Sequence, residues 1–187
     1  MPLTYQSRIG DVVHDDLWKY SKSSTTWELL ETPSGVAKPS SREGHVMATV
    51  GADLYLHGGH VLVPSDGPSD ELWRYSTISA SWELLNKQEG GVQPSARSFH
   101  VMAAVGSELY LHGGWTHEAR LDSIRARAPQ SSDELWKYSV ERASWELLRS
   151  QDGAPKPSAR QRHTMEVVGA ELYLHGGFDW RTSPPGE

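Results

Sequence analysis

The chain contains no cysteine, which excludes disulfide staples, thiolate nucleophiles and cysteine metal sites together. It also has no apolar run near the ~20 residues needed to cross a bilayer, so membrane insertion is not expected. Lys and Arg show no long clustered stripe, and the net charge of −6 opposes the phosphate contacts of a nucleic-acid partner. Met1–Gln6 lacks the basic stretch and apolar core of a secretory signal. These absences lead us to expect an intracellular, cytoplasmic protein. No glycine-rich phosphate loop opens a helix, and no Gly-x-Ser-x-Gly elbow is present. With 37% hydrophobic and 22% charged residues over 187 positions, the composition fits one folded domain rather than a disordered tail.

What the sequence does have is repetition. The string LYLHGG ends at Gly59, recurs 55 residues later at Gly114, and again 63 residues later at Gly177. Trp27, Trp82 and Trp145 in WELL keep the same two separations. So do Trp18, Trp73 and Trp136, each followed by Tyr20, Tyr75 or Tyr138, and so do Arg42/His45, Arg97/His100 and Arg160/His163. Four anchors moving in register define an internal repeat. The longer second period has one address, between LYLHGG and DELW. A loop tolerates such an insertion and a packed strand does not.

Each repeat resolves into four short strands of high β-propensity, such as His45–Val50, Leu54–His57, Glu71–Ser76 and Trp82–Leu85. Gly, Pro and Ser turns separate them, and no helical period appears, so the fold class is all-β with four-stranded antiparallel sheets of the propeller-blade type.

These residues resemble the kelch repeat family. The double glycines Gly58-Gly59, Gly113-Gly114 and Gly176-Gly177 match its pattern, as do Tyr75 with Trp82 and Tyr138 with Trp145. We expect both groups to be structural. The glycines let the backbone turn and neighbouring blades approach, while the aromatics bury area between blades. The resemblance implies an adaptor or scaffold that binds another protein, with no cofactor and no enzyme activity.

Copy number departs from the family's usual five to seven blades. The single kelch domain expected over 1–187 comprises a half-blade at about 11–30, blades at 42–85 and 97–148, and a half-blade at 160–177. Two readings stay open: a fragment of a longer kelch protein or an open arc covered by another subunit, or a homodimer whose half-blades complete a six-bladed ring. Alternating strand direction puts the tight a–b turns on one face and the long b–c and d–a connections on the other. Recognition is expected on the long-loop face. The least repeated stretch, 115–132, offers Trp115, His117, Arg120, Asp122, Arg125 and Arg127. Its arginines suit a carboxylate-rich partner. His60, Trp180 and Arg181 follow the other glycine pairs and are expected to border the same face.

The alternative reading is a metal-dependent enzyme. Histidines recur once per blade, so only an axial ring of His57, His112 and His175 would converge on one ion. Plant nitrile-specifier proteins resemble this architecture and hold iron through Glu-x-x-x-Asp-x-x-x-His. Glu118 and Asp122 have the first spacing here, but Ala126 stands in the histidine's place. We therefore expect no metal.

Overall fold

A computed structural model describes residues 12–62, 67–85, 91–116 and 130–179. The described residues form six antiparallel sheets and no helix. Strands β1 (Trp18–Ser21) and β2 (Thr26–Leu29) form a hairpin by themselves. One complete blade then runs β4 (Val46–Val50), β5 (Asp53–His57), β8 (Leu72–Ser76) and β9 (Ser81–Leu85), in that spatial order. A second runs β11 (Val101–Val105), β12 (Glu108–His112), β15 (Leu135–Ser139) and β16 (Ser144–Leu148). β17 (Thr164–Val168) and β18 (Glu171–His175) form a last hairpin. The all-β blade architecture read from the repeat is what the chain adopts, with strand limits within a residue or so of expectation.

Local chemistry sets the hairpins. The turn between β4 and β5 is Gly51-Ala52, with Gly51 at φ 60°. A positive φ at the first of two turn residues is the arrangement glycine supplies, and it matches the twist of the flanking strands. The outer pair β8–β9 is held by cross-strand aromatics on one face, Tyr75 opposite Trp82 with ring centroids 5.1 Å apart. Tyr138 and Trp145 repeat that contact in the next blade.

The innermost strands β4, β11 and β17 pack side by side. Between the two complete blades lies one buried cluster containing Tyr55, Leu72, Met102, Leu109, Leu111 and Trp136. Burial fails at the two ends. Trp73 and Trp136 are 5% and 6% exposed, whereas the equivalent Trp18 is 49% exposed; Tyr55 is 1% exposed and its counterpart Tyr173 is 59%.

The sequence did not lead us to expect two small sheets on the loop face. β3 (Arg42–Glu43), β6 (His60–Val61) and β7 (Gly67–Pro68) form one. β10 (Arg97–Ser98), β13 (Trp115–Thr116) and β14 (Gln130–Ser131) form the other. Two-residue strands carry too little pattern to be read from periodicity.

Candidate functional site

The loop face is built on a guanidinium staple that each blade repeats. In the second blade Arg97 is fully buried. Its Nε donates to the Ser95 carbonyl, its Nη1 to the Gly113 carbonyl at 2.9 Å, and its Nη2 to Glu134 at 2.7 Å. Glu134 also accepts from Trp136 Nε1 at 3.0 Å. One planar fork thereby ties the start of the blade to its double glycine and to the stem of its third strand. Arg42, Gly58, Glu71 and Trp73 reproduce the arrangement in the first blade. Burial pushes the Glu71 and Glu134 carboxyls up. The hydrogen bonds from the arginine and tryptophan, with the arginine's charge, more than offset this and leave both below the usual range.

A second set of contacts joins blade to blade. His57 Nδ1 meets His100 Nε2 at 3.1 Å, and His112 Nδ1 meets His163 Nε2 at 3.1 Å. All four rings are buried. Burial, followed by the charge of Arg97 and Arg42, lowers His57 to about 3. Burial first, then His163 and Arg160, lowers His112 to about 4, and burial with Arg160 lowers His163 to about 4. Burial, then His57 and Arg97, also drives His100 well down. Each pair is therefore neutral, one ring donating and the other accepting.

The double glycine lets these layers touch. Gly113 has φ 71°, and a Cβ there would lie 2.6 Å from the Arg160 carbonyl oxygen and 2.8 Å from the His163 ring. Beside it, Gly114 N donates to that same carbonyl at 2.9 Å. Only glycine permits such an approach.

The long connection between the second and third strands of this blade leaves from a clamped stem. Trp115 pairs with Ser131 and Thr116 with Gln130, while Arg97 and Ser98 of β10 close the other side of β13. Trp115 is buried, and its ring lies 6.3 Å from that of His60, also buried. These two predicted partner-binding residues thus meet each other beneath the loop face. His117, Arg120, Asp122, Arg125, Arg127, Trp180 and Arg181 lie outside the described residues, as do Glu118 and Ala126.

The imagined axial metal ring takes a different form. His57 and His112 are each bonded to a histidine of the next blade, and His175 is exposed. Among the described residues no group of three His, Cys, Asp or Glu side chains is placed to hold a metal ion. Among them, too, no helix is long and apolar enough to cross a membrane. The staple itself was only half legible: Arg-x-x-His stood out, but its carboxylate partner did not. The available signal was Glu or Asp two residues before each blade tryptophan.

Comparison with known proteins gives a consistent picture. The family profile of the KLHDC2/KLHL20/DRC7 Kelch-repeats domain matches residues 6–183. Human multiple epidermal growth factor-like domains protein 8 is 33% identical over 87% of this chain, which spans 6% of that protein. Rat Kelch domain-containing protein 3 is 26% identical over 96% of the chain, which spans 44% of it. An N-(sulfonatooxy)prop-2-enimidothioate sulfolyase of Thlaspi arvense is 25% identical over 81% of the chain and is matched over 39% of its own length.

Proposed function

The chain belongs to the kelch-repeat family, and from that premise we propose that it is a protein–protein interaction scaffold. Its loop face grips the partner, and its exposed half-blades dock to neighbouring subunits or to a second copy. The observation that carries the reading is the clamped stem of segment 115–132. Both ends of the least repeated loop are held by β13 and β14 on a sheet fixed by buried Arg97. A unique loop on a rigid support is the usual arrangement of a recognition site. Arg120, Arg125 and Arg127 supply its charge, suited to a partner rich in carboxylates. A cysteine-free chain supports work in a reducing, cytoplasmic compartment.

The sulfolyase relative favours a second reading, a metal-dependent lyase. Ala126 in place of the third ligand weighs against it.

The test immobilises the chain and its Arg120→Glu/Arg125→Glu/Arg127→Glu variant and compares retained proteins by quantitative mass spectrometry. A set of proteins retained by the first and depleted at least about tenfold on the second is the expected result, since reversing charges at an interface penalises it by several kcal/mol. Equal retention removes the loop from the site. Retention no greater than on a blank support refutes the scaffold reading.

A further inference from the structure

The two outlying hairpins are halves of one unit. Among the described residues, β1–β2 repeats β8–β9 and β15–β16 without an inner pair beside it, while β17–β18 repeats β4–β5 and β11–β12 without an outer pair. Both complete blades join these halves in one register. Leu56 faces Trp73 and Leu54 faces Tyr75 in the first, as Leu111 faces Trp136 and Leu109 faces Tyr138 in the second. We propose that β18 of one copy takes β1 of a second copy along its open edge, with Leu174 opposite Trp18, Tyr173 opposite Lys19 and Leu172 opposite Tyr20. Two copies then close two composite blades. This rests on the reading of the half-blades as docking surfaces and adds to it the occupant and the register.

Charge complementarity selects the occupant. Arg160 is the counterpart of Arg97 and already bonds the Ser158 and Gly176 carbonyls, but no carboxylate partner is present among the described residues. Asp16 is the counterpart of Glu134. It accepts from Trp18 Nε1 at 2.6 Å, as Glu134 does from Trp136, and has no guanidinium beside it among the described residues. Joining β18 to β1 completes the staple, Arg160 of one copy on Asp16 of the other.

The next rung behaves alike. In the second blade Lys137 lies between Glu146 at 3.0 Å and Glu108 at 3.5 Å. Its counterpart Lys19 holds Glu28 at 2.6 Å. The composite blade brings Glu171, the counterpart of Glu108, to its other side.

A third complementarity concerns the histidines. His175 and His45 are exposed, whereas their counterparts form the buried pair His57–His100. In the closed pair His175 faces His45 of the second copy. The apolar surface agrees. A groove of about 490 Å³, walled by Leu135, Leu147, Met165, Leu172 and Leu174, lies between the second complete blade and β17–β18, where no outer pair stands among the described residues. Between the complete blades the equivalent space is about 250 Å³, with Tyr138 and Trp145 forming one wall. Tyr20 and Trp27 of the second copy, 47% and 65% exposed, are the matching pair. The exchange is self-complementary, so a two-fold axis satisfies both seams and leaves neither edge open.

The experiment is light scattering during size-exclusion chromatography of the purified chain at micromolar concentration. The expected mass is near twice 20.8 kDa. Asp16→Arg and Arg160→Asp each place like charges at both seams, and each should weaken dimerisation at least about tenfold. Mixing the two variants restores every ion pair and should regenerate a dimer made of one copy of each. Lys19→Glu and Glu171→Lys form a second such set, should either first variant lose its far-ultraviolet dichroism. A wild-type monomer, a larger oligomer, or a dimer indifferent to both swap sets overturns the proposal. A monomer that still captures proteins through loop 115–132 refutes this inference alone, and a dimer that captures none refutes the loop-face reading alone.

Discussion

Acidification from pH 7 to 5.5 should weaken the fold through its histidine pairs. In the unfolded chain each imidazole returns to about 6.5 and is roughly nine-tenths charged at pH 5.5. In the folded chain His57 stays neutral down to about 3, and His112 and His163 down to about 4. His100, in bonding contact with His57, is also held well below 6.5. The unfolded state therefore binds more protons. Stability is full above about 6.5 and falls as pH drops below it; the contribution of His112 and His163 stops falling near pH 4 and that of His57 near pH 3, where the folded rings also take up protons. Over this interval each histidine contributes a loss of about 1.2 kcal/mol, and the four together about 5 kcal/mol. Glu71 and Glu134, lowered rather than raised, titrate below this window and leave it undisturbed. Urea unfolding followed by tryptophan fluorescence is the assay. With a slope of about 2 kcal/mol per molar, the midpoint should drop by about 2.5 M between the two pH values. The His112→Gln/His163→Gln variant should show about half that drop. An unchanged midpoint, or a variant with the full wild-type drop, refutes the account of neutral paired rings.

Arg97→Met should cost about 3–5 kcal/mol, because it strands Glu134 and the Gly113 carbonyl that the guanidinium serves. Arg74→Met removes a more exposed arginine from Asp53 and Glu83 and should cost about 1 kcal/mol or less in the same urea titration. Gly113→Ala should be far worse than Gly106→Ala. Both glycines have positive φ, but a Cβ at Gly106 meets nothing within 4 Å, while at Gly113 it would lie 2.6 Å from a backbone oxygen. Gly106→Ala should lower the thermal midpoint by only a few degrees per kcal/mol of φ strain, about 1–2 kcal/mol in all. At Gly113 the contact between the second blade and β17–β18 should be disrupted in addition, and equal shifts would refute the close approach.

The blades were legible because their signal is redundant. Leu-Tyr-Leu-His, the double glycine, the Tyr–Trp pair and the closing WELL all recur, and each copy checks the others. The polar layer was less legible because its partners are distant in sequence. Arg97 reaches Glu134 across 37 residues and His112 reaches His163 across 51, and nothing local to either residue names its mate. His60 and Trp115 show a related difficulty. Their place just after a double glycine assigns them to the loop face, yet their rings are buried against each other at the base of the loops. Position along the chain gives the face. The depth depends on β6 and β13, two-residue strands without a readable period.

A residue copied once per blade supplies a set of equivalent groups, one per blade. Such a set builds the scaffold well, since every blade and every seam needs the same bonds; the arginine staples brace each blade and the histidine pairs join neighbouring blades. It discriminates poorly between partners, because each blade offers the same chemistry. The conspicuous polar side chains of the repeats are all engaged in structural bonds, Arg42 and Arg97 within a blade and His57, His100, His112 and His163 between blades. On the proposed scaffold reading, selectivity then comes from residues that the repeat does not copy. The longest such segment is the connection whose ends are fixed by Trp115–Thr116 and Gln130–Ser131. Between them stand Arg120, Arg125 and Arg127, an uncopied basic group in a chain of net charge −6. That asymmetry is the physical reason to place recognition there rather than on the repeated histidines.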